Sequence, residues 1–337
     1  MSDLQTLSHP SPSVLRHVVD VHCHPTDSQI SQSAMDELPI AICAMATRQA
    51  DQNLVRSLAT AYPDKVIPCF GYHPWFSHYI SLASVSSKRK HYEEIFPNWE
   101  EHTDAFERLL AYLPYPISIE DIIVELRQNL LAFPEAMLGE VGLDRSFRVP
   151  FDYFSSPREL SPFAVPIQHQ LTVLEAQIDL AIELERNISM HSVKAQKATV
   201  DLFERIHKKY AMSWRRISLD LHSCGLSPQS WLDIERKHPN VFLSLSTTIN
   251  GRSEAHKALI AACSSQRILV ESDINQVNQC TERTWRMLLT VAEVKGWRVE
   301  IEWSDCVEDE WGAVRHLAHN WEVFKHGHHA GPQNPKK

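Results

Sequence analysis

Eight short apolar runs, separated by longer stretches with helical spacing, constrain this chain more than any other feature. The runs cover residues 17–22, 40–46, 66–71, 136–140, 188–191, 217–222, 241–247 and 268–273. Several are continuous rather than alternating. Residues 40–46 read Ile-Ala-Ile-Cys-Ala-Met-Ala, the pattern of a parallel strand buried on both faces. Between the runs, apolar residues return at helical spacing: Leu54, Val55 and Leu58 in 51–62, and Leu171, Leu174, Ile178 and Ile182 in 167–186. Further helical stretches are read at 102–112, 119–131, 195–210, 282–295 and 308–324. This alternation predicts an α/β chain folded as a (β/α)8 TIM barrel, and 337 residues suit one such barrel. An open doubly wound sheet is the alternative. It would place a glycine-rich phosphate loop after the first strand, and none follows residue 22.

The barrel is expected over residues 17–324, with a disordered lead at 1–16 and a disordered tail at 325–337 that carries His326, His328 and His329. Residues 75–134 are too long for one crossover. They are read as the crossover helix plus an insertion, at about 77–132, between strands three and four.

The first run ends in His22-Cys23-His24. Side chains alternate along a strand, so His22 and His24 share a face and Cys23 turns away. One His-x-His among 19 histidines carries little information by itself. Four later runs, however, also end in metal-ligand residues: Glu140, His191, His222 and Asp273. Barrel enzymes place their chemistry at the C-terminal ends of their strands. Four imidazoles and two carboxylates there suit two divalent ions roughly 3.5–4 Å apart. His22, His24 and Asp273 would hold one ion, His191 and His222 the other, and Glu140 would bridge them. Ions so held activate a water and neutralise charge on a phosphate or carbonyl oxygen. Asp273 is the natural general base, and Glu140 shares the catalytic work. Glycine is scarce, nine in all, and Gly71, Gly139, Gly142 and Gly225 lie in these strand-end motifs, as if for backbone reasons.

Taken in order, these motifs resemble one family. They are Asp20-Val21-His22-Cys23-His24, Gly71-Tyr72-His73-Pro74, Gly139-Glu140-Val141-Gly142-Leu143-Asp144, Ser189-Met190-His191-Ser192, Leu221-His222 and Val270-Glu271-Ser272-Asp273. The chain is similar, from about residue 17 to 324, to the TatD family of metal-dependent deoxyribonucleases. The resemblance implies a TIM barrel of the amidohydrolase type and a two-metal phosphodiesterase acting on DNA ends, often as a 3′→5′ exonuclease. It also implies the ligand split given above, and places His73 near the substrate phosphate. Departures from the family pattern stand beside the ligands: Ser192-Val193-Lys194, Ser223-Cys224-Gly225 and Ile274-Asn275. The substrate rim is therefore expected to be remodelled while metal binding is retained. Residues 145–166 form a long loop with Phe147, Phe151, Tyr153 and Phe154 among Arg145, Arg148 and Arg158. Its aromatics are expected to pack over the rim; stacking bases and holding phosphates is the other reading.

Two readings stand beside the deoxyribonuclease. One is an amidohydrolase-type enzyme cleaving a small cyclic amide or ester. Such barrels commonly bridge their metals with a carboxylated lysine, where this chain has Glu140. The other is a metal-binding barrel that serves mainly as a protein-interaction partner through its insertion. The ions expected are Zn²⁺, Mn²⁺ or Mg²⁺. A net charge of −9 argues against a general nucleic-acid coat, though not against DNA as substrate. Seven cysteines without a repeating pattern argue against a disulfide framework and for the cytoplasm or nucleus. No apolar window of about 18 residues is present, so no membrane span is expected.

Overall fold

The computed structural model describes residues 10–305 and 307–331. Its strands are β1 (Val19–Cys23), β2 (Ala41–Met45), β3 (Val66–Phe70), β4 (Ile80–Ser81), β5 (Ile117–Ser118), β6 (Met137–Asp144), β7 (Ile188–Val193), β8 (Leu219–Leu221), β9 (Val241–Ser246) and β10 (Ile268–Glu271). Eight of them form one parallel sheet in the order β1-β2-β3-β6-β7-β8-β9-β10. The ends of the sheet meet. Asp273 N–H donates to His22 O (3.0 Å) and His24 N–H to Ile274 O (2.9 Å). With helices between the strands, this is the expected (β/α)8 TIM barrel.

The barrel interior is divided along its axis. Toward the N-terminal ends of the strands, Val21, Cys43, Cys69, Phe242 and Leu269 form an apolar plug with Trp321 and Phe324 of the last helix, Ala313–His326. Toward the C-terminal ends the interior is polar. Two register shifts mark the change. β1 carries one extra residue between Asp20 and Cys23 relative to β2, and β6 carries one between Leu138 and Val141 relative to β7. Such bulges re-aim side chains at barrel rims. In β1 the bulge lets consecutive residues face inward: Val21 into the plug and His22 into the polar end.

The insertion is shorter than expected. Helix Ile119–Ala132 packs Ile122, Leu126 and Leu130 into the barrel–helix layer, so it is the crossover helix itself. The added segment is 80–118, and β4 and β5 pair in parallel across its base. Its helices, Lys88–Ile95 and Thr103–Tyr112, bury Tyr92, Phe96, Phe106 and Leu109 against Val149, Phe151 and Phe163 of the 145–166 loop. Insertion and loop thus share a small apolar core of their own.

The described parts of the lead and the tail, residues 10–16 and 325–331, are held against the barrel. In the lead, Pro12–Leu15 forms a helical turn that buries Val14 and Leu15. In the tail, Lys325 and His326 finish the last helix. His328 and His329 donate backbone N–H to the carbonyls of Arg216 (3.1 Å) and Arg215 (2.8 Å), and the His329 ring meets Ser218 Oγ at 2.7 Å. These bonds hold a segment that composition alone marks as loose. Residues 1–9 and 332–337 lie outside the described residues. The six described cysteines are free and buried. No described helix is long and apolar enough to cross a membrane.

Candidate metal centre

Glu140 lies in the β6 bulge, 3% exposed, with five imidazoles around it. Its Oε2 faces His24 Nε2 at 3.3 Å and His22 Nε2 at 3.6 Å. Its Oε1 faces His222 Nε2 at 2.7 Å, His191 Nδ1 at 2.9 Å and His73 Nε2 at 3.1 Å. The strands explain the convergence. His22 and His24 end β1, His191 lies in β7, and His222 and Asp273 follow β8 and β10. Asp273 Oδ1 is 3.6 Å from His24 Nε2. All six residues expected as metal ligands therefore meet at one end of the barrel, as does His73.

Partners on the far side orient three of the rings. Ser189 Oγ holds His22 Nδ1 at 2.8 Å, and the His22 ring stacks on His222 at 3.7 Å. Asp144 Oδ2 accepts from His191 Nε2 at 3.2 Å, which sets the Nδ1 side of the ring toward Glu140. A carboxylate behind a histidine is a common support for metal ligation. His73 differs. Its Nδ1 accepts the Trp75 backbone N–H at 3.1 Å, so the neutral ring carries its proton on Nε2, and that nitrogen donates to Glu140. Burial, only partly countered by Glu140, holds its pKa down to about 4 and the ring neutral.

The charges favour a cation at this point. Although burial alone would raise Glu140, the surrounding histidines hold it well below the usual carboxylate range. Burial likewise opposes charge on His24, yet Glu140 and Asp273 push its pKa up to about 9. His22 Nε2 and His24 Nε2 stand 3.2 Å apart, two ring nitrogens facing each other. Donors about 2.1 Å from a shared tetrahedral ion lie roughly 3.4 Å from one another, and the spacings around Oε2 match that edge. The donor set fits divalent metal.

Three non-glycine residues adopt positive φ directly around this rim: Lys194 (49°), Ser223 (41°) and Asp273 (48°). Such strain gathers at functional sites. Gly142, at φ 154°, is required, because a Cβ there would lie 2.1 Å from His191 O. Gly225 is not: nothing lies within 4 Å of a Cβ added to it, so the backbone reason expected for it is absent.

A cavity of about 350 Å³ opens beside the cluster, bordered by His24, His73 and Asp273 and by the aromatic residues Trp75, Phe76 and Tyr153. In the 145–166 loop, Phe151 is buried and Phe147 stacks on Trp75, while Phe154 is 76% exposed. The expected packing over the rim thus describes part of the loop only. Trp75, Asp144 and Ser189 escaped the sequence reading. Asp144 had a usable signal, as the acidic end of the Gly139–Asp144 motif; the other two had none.

A family model described as TatD related DNase matches residues 19–301. The Cut9-interacting protein scn1 of Schizosaccharomyces pombe is 30% identical over 323 residues, 85% of this chain and 95% of its own. An uncharacterized deoxyribonuclease of Saccharomyces cerevisiae is 30% identical over 275 residues, 77% of this chain and 84% of its own. A crystal structure of a TatD homolog from Escherichia coli superposes with a TM-score of 0.56 at 17% identity, covering 92% of this chain and 98% of that one. The chain belongs to the TatD-related DNase family and is a metal-dependent hydrolase acting on ester bonds.

Proposed function

We propose that this chain is a deoxyribonuclease that shortens DNA from its 3′ ends, using two divalent ions. The observation that carries the reading is the convergence of ring nitrogens on the two oxygens of Glu140. His22, His24 and Asp273 gather toward Oε2 and would hold one ion; His191 and His222 gather toward Oε1 and would hold the other. Nitrogen-rich coordination suits Zn²⁺ or Mn²⁺, and Mg²⁺ fits where phosphate oxygens complete its shell. The ions supply Lewis acidity toward water and toward the phosphate oxygens. Asp273, bordering the cavity, takes the proton of the attacking water on its carboxylate. His73, whose Nε2 proton points into the site, orients Glu140 and lies within the cavity wall where a phosphate oxygen would rest. DNA as substrate is supported by the deoxyribonuclease name of the budding-yeast relative. Six buried, unpaired thiols suit the cytoplasm or nucleus.

Hydrolysis of end-labelled single- and double-stranded DNA by metal-loaded protein tests the reading. Stepwise loss from the 3′ end, abolished by a chelator and by Glu140→Gln, is the expected result. Two bound metals per chain with no cleavage would overturn it.

The name of the fission-yeast relative favours a second role, docking a protein partner. The insertion is the natural surface, with a core separate from the barrel. Tyr112 and Tyr115 are exposed on it, so alanine at both changes this surface without touching the shared core. Loss of a partner with hydrolysis retained would support docking; an unchanged partner set would remove it.

A further inference from the structure

The cavity beside the cluster has an aromatic wall and no lysine or arginine among its lining residues. Trp75 is the most firmly held part of that wall. Phe147 stacks along its indole at 4.9 Å and 11°. Its Nε1–H donates to Asp144 Oδ2 at 2.7 Å, and the indole and the His73 ring stand perpendicular, 4.9 Å and 84° apart. The rest of the half-buried ring borders the cavity. Asp144 Oδ2 also accepts from His191, so one carboxylate positions both the indole and a ring facing Glu140. Tyr153 borders the same cavity, edge-on to Phe76 at 4.9 Å.

Acidic residues dominate the charge inside: Asp27, Glu140, Asp144 and Asp273. A duplex tracked through several phosphates needs several cations, and the cavity offers none of its own. Cations stand just outside. Arg48 is tied to Asp27 at 3.2 Å and lies over the Phe76 and Tyr153 rings. Arg145 and Lys194 are exposed and adjoin the lining residues Ser146 and Val193. Arg145 N–H bonds Val193 O at 3.0 Å, which sets these two strand ends side by side. A cavity of about 350 Å³ matches one nucleotide rather than a base pair. An aromatic face stacks any base, and only an unpaired base offers its face.

We propose that Trp75 is a stacking platform for an unpaired nucleobase next to the scissile phosphate, with Arg145 and Lys194 receiving the neighbouring phosphate. The inference rests on the phosphodiesterase reading and narrows it: the substrate enters as a single strand, one nucleotide deep. Phe147 and Tyr153 come from the long 145–166 loop, which the insertion braces from behind through their shared apolar core. The loop, braced by the insertion, thus backs a platform that itself stands on the turn Pro74–Tyr79.

The test is calorimetric binding of thymidine 5′-monophosphate and of inorganic phosphate to the metal-loaded protein, in wild type, Trp75→Ala and Trp75→Phe. Wild type should favour the nucleotide by about tenfold or more. Trp75→Ala should bring the ratio within about twofold of one. Trp75→Phe, which keeps a ring but loses the bond to Asp144, should restore most of it. Equal affinities in wild type, or an unchanged ratio in Trp75→Ala, would overturn the platform. Hydrolysis of thymidine 5′-(4-nitrophenyl phosphate) by the same samples reports separately on the phosphodiesterase reading. Binding discrimination without turnover would leave the platform standing and count against that reading alone.

Discussion

Two groups of buried histidines lie within one chain, and only one of them surrounds a carboxylate. At the barrel rim, five rings turn nitrogens toward Glu140. Beneath the insertion, His78, His91 and His169 are buried together. There two of the three rings bond the backbone, and the His78 ring nitrogens have no side-chain or backbone partner among the described residues. His91 Nε2 donates to His78 O (2.9 Å) and His169 Nε2 to Ser77 O (2.8 Å), fixing the turn Pro74–Tyr79 that presents Trp75. The charges run in opposite directions. Burial, reinforced by His169 and His91, holds the His78 pKa down to about 3, whereas Glu140 and Asp273 overcome burial at His24 and push it up to about 9. The same residue type makes a cation site in one place and a neutral brace in the other. What separates them is the carboxylate at the centre.

Substitutions can break this contrast, and the largest effect belongs at its centre. Glu140→Gln should lower activity by more than about a hundredfold and reduce bound metal, while circular dichroism keeps the barrel signature. Steady-state kinetics and elemental analysis check both. Next is the backbone that lets β6 and β7 approach. Gly142→Ala places a Cβ against His191 O and forces φ 154° on an L-residue. It should cost about 3 kcal/mol in denaturant unfolding and reduce activity with it.

The neutral brace predicts a pH dependence. The folded pKa of His78, about 3, lies below the ordinary 6.5, so the unfolded chain takes up its proton first. Its contribution is present in full above about pH 6.5 and is lost as pH falls toward 3. Between pH 7 and 5, wild type should lose about 2 kcal/mol more stability than His78→Leu, read from urea midpoints. Equal losses would show that this ring is not the neutral partner described. The smallest effect is expected where loop and insertion meet in water. Arg108 forks onto Glu159 at 2.6 Å through Nη1, but both side chains are more than half exposed. Arg108→Ala should change unfolding by less than about 0.5 kcal/mol.

The strands and most of the rim were legible because each barrel ligand follows a short apolar run, so strand and ligand announce each other. Other features lacked such a coupling. Helix Pro228–Lys237 was passed over although Ser227 caps it, accepting from Ser230 N–H, and proline opens it. The last helix starts at Ala313 rather than 308 because Glu300, thirteen residues earlier, accepts the N–H groups of Gly312 and Val314 at 2.8 and 3.0 Å. His73 was placed near a phosphate; its bond to Glu140 depends on a tautomer set by the Trp75 backbone, which no spacing encodes.

By itself the sequence determined the barrel, the rim on which its chemistry stands and the six residues that gather there. Apolar runs must be buried, and a strand-end side chain has one rim to occupy. Only the tertiary structure decided where Glu140 lies among five rings, because bulges in β1 and β6 shift the register by a residue and turn neighbours the same way. It also decided that loop 145–166, packed against segment 80–118, sets Tyr153 in the cavity wall beside Trp75 and Phe76. Those contacts join residues far apart in the chain, and local pattern carries no record of which distant surfaces will pack together.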